Sequence, residues 1–372
     1  MKNMSCGGSS AEEDLGYRTV QVTGRDSYII SLPKRWVLSN GLKKGSQLIF
    51  KKLADSSLLL VPREVLEAQG RQKEQTLKEF TVRITSKDDP TSISRRIMSL
   101  YTISADLIQV KYKEGDITPA QKASIKNTAR MLLGSEIISE SSTEIIIQIL
   151  INRMEFPLEK AVRRMFTIAK SMDAEAVSAL KGFDGRLLQE VIDSDQDLDR
   201  LSLYAVRQLK YGIDHNLFRE MGLRTSREAL GYRILINGLE NIGDNAVSTA
   251  RSILELKRLT DDHVLVLSEP MDEEVFSGVL KCHSFGHLLL DDSMKAFFKR
   301  DYHLADDVIS RFISTGEQFE RDSINLMLNK KIDPNLAAVL RLALYNSKKM
   351  MEYSRDIAEV TLNRTVDEIS TI

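Results

Sequence analysis

From Phe156 to the C-terminus, apolar residues recur every three to four positions, the period of an amphipathic helix. Breaks fall at Gly182, Gly222, Pro270, the Lys299–Tyr302 turn and Pro334. They predict helices over 157–181, 185–218, 225–260, 270–299, 302–330 and 335–369. The six form two sets of three, and the third helix of each set carries acids at the same interval. These are Glu240 and Asp244 in LENIGDNAVSTARSI, and Glu352 and Asp356 in MMEYSRDIAEVTLN. A repeat of about 110 residues is too long for a solenoid and predicts tandem three-helix bundles, over 156–264 and 268–372.

Ahead of Phe156 the period changes. Residues 1–16 are small, polar and acidic and are expected to form a flexible tail, neither a secretory signal nor a membrane anchor. Over 17–65, RTVQVTG, SYIISLP, SQLIFKKL and SSLLLVP read as strands around one short helix, KRWVLSNGL. So small a unit has open edges, and a partner chain is expected to close it. Residues 72–154 run β-α-β-α-β-β and predict an α+β insert.

The net charge of −1 conceals an asymmetry. Tyr17–Arg63 holds nine basic residues against two acids, so the rest of the chain is acidic. A basic module on an acidic body suits phosphate contacts in the module and a different task in the body. Uneven solvated charge is the plainer reading. Two cysteines, Cys6 and Cys282, rule out a disulfide framework and fit a reducing cytoplasm. The longest apolar run, Ile145–Ile151, is far short of the ~20 residues of a membrane span.

No GxGxxG, Walker A, HExxH or serine-elbow motif is present, and no nucleophile, base and orienter group together. His283 and His287, four apart beside Cys282 in KCHSFGHLL, have a spacing that can chelate a metal on a helix face; ordinary packed histidines are the plainer reading. Acids recur at the same interval: Asp193/Asp197, Asp195/Asp199, Glu240/Asp244 and Glu352/Asp356. Residues four apart stack on one helix face, so such pairs repel mildly and a cation offsets them. Carboxylates from neighbouring helices can supply oxygen ligands to Fe, Mn, Mg or Zn; solvated acids, with Arg200 and Arg207 as neighbours, are the alternative.

Two resemblances sharpen this picture. Arg18, Gly24-Arg25, Ile29–Lys34 and Leu42–Gly45 follow the pattern of the AbrB/SpoVT DNA-binding module, with Ser46 where aspartate is usual. The helical part resembles PhoU, the phosphate-uptake regulator. ENIGDNA is similar to its Glu-Arg-Ile-Gly-Asp-His-Ala stretch, VIDSDQDLDRLSLYAVRQL to its preceding helix, and MEYSRDIAE to its second repeat. The combination resembles archaeal PhoU-type regulators.

The AbrB resemblance implies an all-β homodimer with swapped hairpins, which presents Arg18, Arg25, Lys34 and Arg35 to DNA. The PhoU resemblance implies tandem three-helix bundles acting with a phosphate ABC transporter or its sensor. It also implies iron or zinc held by Glu/Asp-x-x-x-Asp motifs. The first repeat keeps that pattern at Asp195, Asp199, Glu240 and Asp244. The second departs from it: Lys348 stands where the first acid belongs, leaving Glu352 and Asp356, with Glu317 and Glu320 as weak substitutes. The chain therefore reads as a cytoplasmic, dimeric, DNA-binding regulator of phosphate uptake, without membrane insertion and without enzymatic activity. The alternative is a transporter-associated subunit whose AbrB-like module serves dimerisation or protein contact. A metal-dependent phosphohydrolase built on the carboxylates is the third reading.

Overall fold

In the computed structural model the chain divides into two compact units, 1–77 and 78–372. The structure describes residues 16–24, 27–52, 57–63, 77–151 and 156–369. The tail expected over 1–16 lies outside them except for Gly16, and so does Arg25.

In the first unit β1 (Gln21–Thr23) and β2 (Ser27–Ile29) form one antiparallel hairpin. After α1 (Lys34–Ser39), β3 (Leu48–Lys52) and β4 (Leu58–Pro62) form a second, with Leu48 opposite Pro62. Ser46 replaces the usual aspartate without loss of the turn, because its hydroxyl accepts from the Lys43 N–H at 3.0 Å. Gly45, at φ +94°, takes the left-handed conformation that the turn requires. Among the described residues of this unit only Pro62 is buried. Val22 is 67% exposed, Tyr28 74% and Phe50 60%.

The second unit opens with a four-stranded sheet. β5 (Glu79–Ile84) pairs in parallel with β6 (Leu107–Tyr112); β7 (Ser135–Glu140) and β8 (Glu144–Ile149) complete the order β5-β6-β8-β7 with antiparallel pairings. Two helices cover the sheet, α2 (Pro90–Thr102) and α3 (Pro119–Met131). Each starts with proline behind a capping side chain: Asp89 accepts from the Ser92 N–H, and Thr118 forms a reciprocal capping box with Gln121. Ile84, Ile93, Ile97, Ile108, Ile125, Ile145 and Ile147 are fully buried between the layers.

The helical body follows as α4 (Leu158–Ser178), α5 (Gly185–Asp214) and α6 (Glu228–Asp261), then α7 (Glu273–Lys299), α8 (Tyr302–Arg311), α9 (Glu317–Asn329) and α10 (Pro334–Ile369). The strand-rich start and helical body are those expected from the sequence. One departure is local: the helix expected over 302–330 contains a π-helical segment, Phe312–Gly316, between α8 and α9. Both bundles share one hydrophobic core. Where α6 meets α5, Gly243 leaves room for Leu198; a Cβ there would collide with that side chain. Arg300 closes α7 in the left-handed conformation, and its guanidinium donates to both oxygens of buried Glu228 at 2.7 Å. Arg364 of α10 reaches the same carboxylate at 2.7 Å, tying the second bundle to the first.

Arg207 is not beside the acids of α5, as the sequence suggested. Its guanidinium is buried against the insert, donating to Tyr101 O at 2.7 Å and Ala105 O at 2.8 Å and facing Asp106 at 3.5 Å. The insert is thereby docked on the first bundle. Among the described residues no helix is long and apolar enough to cross a membrane.

Candidate functional site

Three groups of side chains carry the chemistry. The first is the basic module. Arg18, Lys34 and Arg35 are exposed, the last two on the first turn of α1. Arg18 donates to the Tyr17 carbonyl at 2.6 Å.

The second group lies between α5 and α6. The i, i+4 spacing sets Asp195 above Asp199 on one helix and Glu240 above Asp244 on the other. Burial, then the charges of Asp195, Glu240 and Asp244, push Asp199 up to about 7. Asp195 is raised by burial and by Asp244 and Glu240, with Arg251 opposing. Ser202 donates to Glu240 Oε2 at 2.8 Å, while Asp195 Oδ1 is buried without a partner. Arg200 faces Asp197 at 3.7 Å. No three of these four residues bring one oxygen each within 4.8 Å of one another. An orphaned buried oxygen on Asp195 and the raised pKa of Asp195 and Asp199 suit a hard cation, which would draw the carboxylates inward.

Residues 162–253 match the PhoU domain. That stretch contains all four acids. Residues 21–66 match the family described as antidote-toxin recognition MazE, bacterial antitoxin, over the basic module. The two resemblances read from the sequence hold over these segments, and the second bundle lies beyond the PhoU match. A crystal structure of PhoU from Pseudomonas aeruginosa aligns with 56% of this chain and 96% of that one, at 14% identity and a TM-score of 0.38. No curated protein matches the chain.

In the second bundle, outside the PhoU match, the acids have cations of their own. Lys349 donates to Glu352 at 2.8 Å, and Arg355 to Asp356 at 2.7 Å.

The third group was only half visible in the sequence. His283 and His287 of α7 both meet Asp173 of α4. Burial alone would raise the Asp173 pKa, but the two imidazoles outweigh it and hold the carboxyl down to about 2. Asp173 sits in an unremarkable helical segment, SMDAEA, and nothing local to it signals the contact.

Proposed function

We propose that the chain is a homodimeric, DNA-binding regulator of phosphate uptake acting in the cytoplasm without a catalytic step of its own. The bundles receive a signal from a phosphate transporter or sensor component, and the basic module holds DNA. The observation that carries this reading is the first unit itself. It matches a module of the MazE type, concentrates positive charge, and buries only one described residue. Its exposed Val22, Tyr28 and Phe50 are apolar surface that a second copy would cover. The PhoU match over 162–253 supports the phosphate role. In the same reading Asp195, Asp199, Glu240 and Asp244 take a divalent cation, iron or zinc, whose charge offsets their repulsion. Glu352 and Asp356, already neutralised by Lys349 and Arg355, form no second site of that kind.

The exposed apolar residues also favour a second reading, in which the module contacts a protein instead of DNA. Anisotropy of a labelled duplex mixed with the full chain separates the two. Binding at low salt that weakens steeply as salt rises supports the DNA role, because released counterions drive phosphate contacts. No binding at low salt supports protein contact.

A further inference from the structure

We infer that Asp173, His283 and His287 form a transition-metal site, specific for a divalent ion such as zinc or iron(II), that links the first helices of the two bundles. The site is separate from the carboxylate set between α5 and α6 and does not depend on the proposed regulatory role.

The geometry is that of a ligand triad nearly closed. His283 Nε2 lies 2.6 Å, and His287 Nε2 2.8 Å, from the same oxygen, Asp173 Oδ2. One ligand atom from each residue falls within 4.8 Å of the other two, and among the described residues this is the only trio of potential ligands so placed. Four-residue spacing on α7 sets the imidazoles side by side, ring centroids 4.3 Å apart, with both Nε2 atoms directed at α4. Two neutral nitrogens and one carboxylate are the donor set of three-ligand zinc sites and of mononuclear non-haem iron(II) sites. With metal–ligand bonds of about 2.0–2.1 Å, tetrahedral ligand atoms lie roughly 3.3 Å apart. The two contacts, at 2.6 and 2.8 Å, therefore need to open by only roughly 0.5–0.7 Å.

Burial and access point the same way. Asp173 is 4% exposed and His283 7%, so the carboxylate's charge must be met by whatever it touches. The two imidazoles meet it with hydrogen bonds alone unless one is protonated, whereas a dication meets it in full. A cavity of about 580 Å³ opens on the imidazole side, lined by His283, Ser284, His287, Lys181 and Asp291, and gives an ion a way in. It leaves the remaining coordination positions to water or an exchangeable anion. Beside it, Lys170 of α4 holds Asp291 of α7 through contacts of 2.6 and 2.7 Å, fixing the two helices at the spacing the triad requires. The carboxylate comes from the first bundle and the two imidazoles, 110 and 114 residues further on, from the second, so a bound ion is a cross-link between the bundles.

The test uses the full chain stripped with chelator and titrated with Zn²⁺ and with Co²⁺, beside two double variants, H283A/H287A and D195N/D199N. Cobalt reports the ligand set through its visible d–d bands. The inference expects strong bands of low coordination number in the wild type. It expects the histidine variant to bind one equivalent less and lose those bands, and the aspartate variant to keep the bands and the equivalent that goes with them, whatever metal the carboxylate set itself gives up. If H283A/H287A does not fold, H287A alone, at the cavity edge, should weaken binding at least tenfold. Absence of bands in the wild type, or bands and stoichiometry lost in D195N/D199N and kept in the histidine variant, would overturn it. The second outcome would leave the carboxylate reading standing by itself.

Discussion

Arg207 shows how far one side chain can decide the arrangement of domains. With 3% of its side chain exposed, it satisfies two carbonyls of the insert, faces Asp106, and lies over the Tyr101 ring at 4.9 Å. Removing one partner of such a buried cluster strands the others, so Arg207→Ala should cost about 3–5 kcal/mol in denaturant unfolding. Asp199 makes the opposite demand. Its carboxyl is raised from 3.8 to about 7, so between those values the folded chain binds a proton that the unfolded chain has lost. The more protonated folded state is favoured at low pH, and stability falls as pH rises through that window. In chelator-treated protein Asp199→Asn should therefore raise the melting temperature at pH 8 and change it little at pH 4. An equal shift at both pH values would contradict the assignment. Asp199 stood out in the sequence by its spacing from Asp195, but Arg207 did not announce its role. Arg207 read as a neighbour of the acids because helical spacing puts it on α5 two turns from Asp199, and spacing cannot say which face meets another domain. His283 and His287 did stand out, but Asp173 is more than a hundred residues away, and only tertiary packing brings it to them.

At the level of elements, punctuation made most of the fold legible. Pro90, Pro119 and Pro334 open helices, and Gly134 and Gly222 follow helical or turn segments at positive φ. Gly134 joins α3 to β7 at φ +72°, and a Cβ there would strike Ile151. Gly134→Ala should thus destabilise the insert by at least ~2 kcal/mol, combining left-handed strain with overpacking. Thermal unfolding would show it, and an unchanged midpoint would mean that the loop relaxes freely. The π-helical segment at Phe312–Gly316 escaped the sequence because one extra residue in a turn barely disturbs an apolar period. The two hairpins of the first unit were legible from their β-branched runs, while their lack of a core became clear only from the exposure of Tyr28 and Phe50.

At the scale of the whole molecule, a basic unit with one buried residue among those described precedes a helical body in which both bundles share a hydrophobic core and buried charge clusters tie the insert and the bundles together. If that body transmits a signal to DNA, partner and DNA must alter each other's affinity by the same factor. A typical coupling of ~1–3 kcal/mol would appear as a roughly 5–150-fold change in DNA affinity when the partner binds. A change within twofold would make the insert a spacer. The central proposal is more basic: that the module holds DNA phosphates. It is tested most directly by the salt dependence of duplex binding for the wild type and for a folded Lys34→Ala, Arg35→Ala variant of the full chain. Each phosphate contact removed should flatten the log–log slope by about 0.9, so the variant's slope must be shallower. An unchanged slope, or no binding by the wild type at low salt, would contradict it.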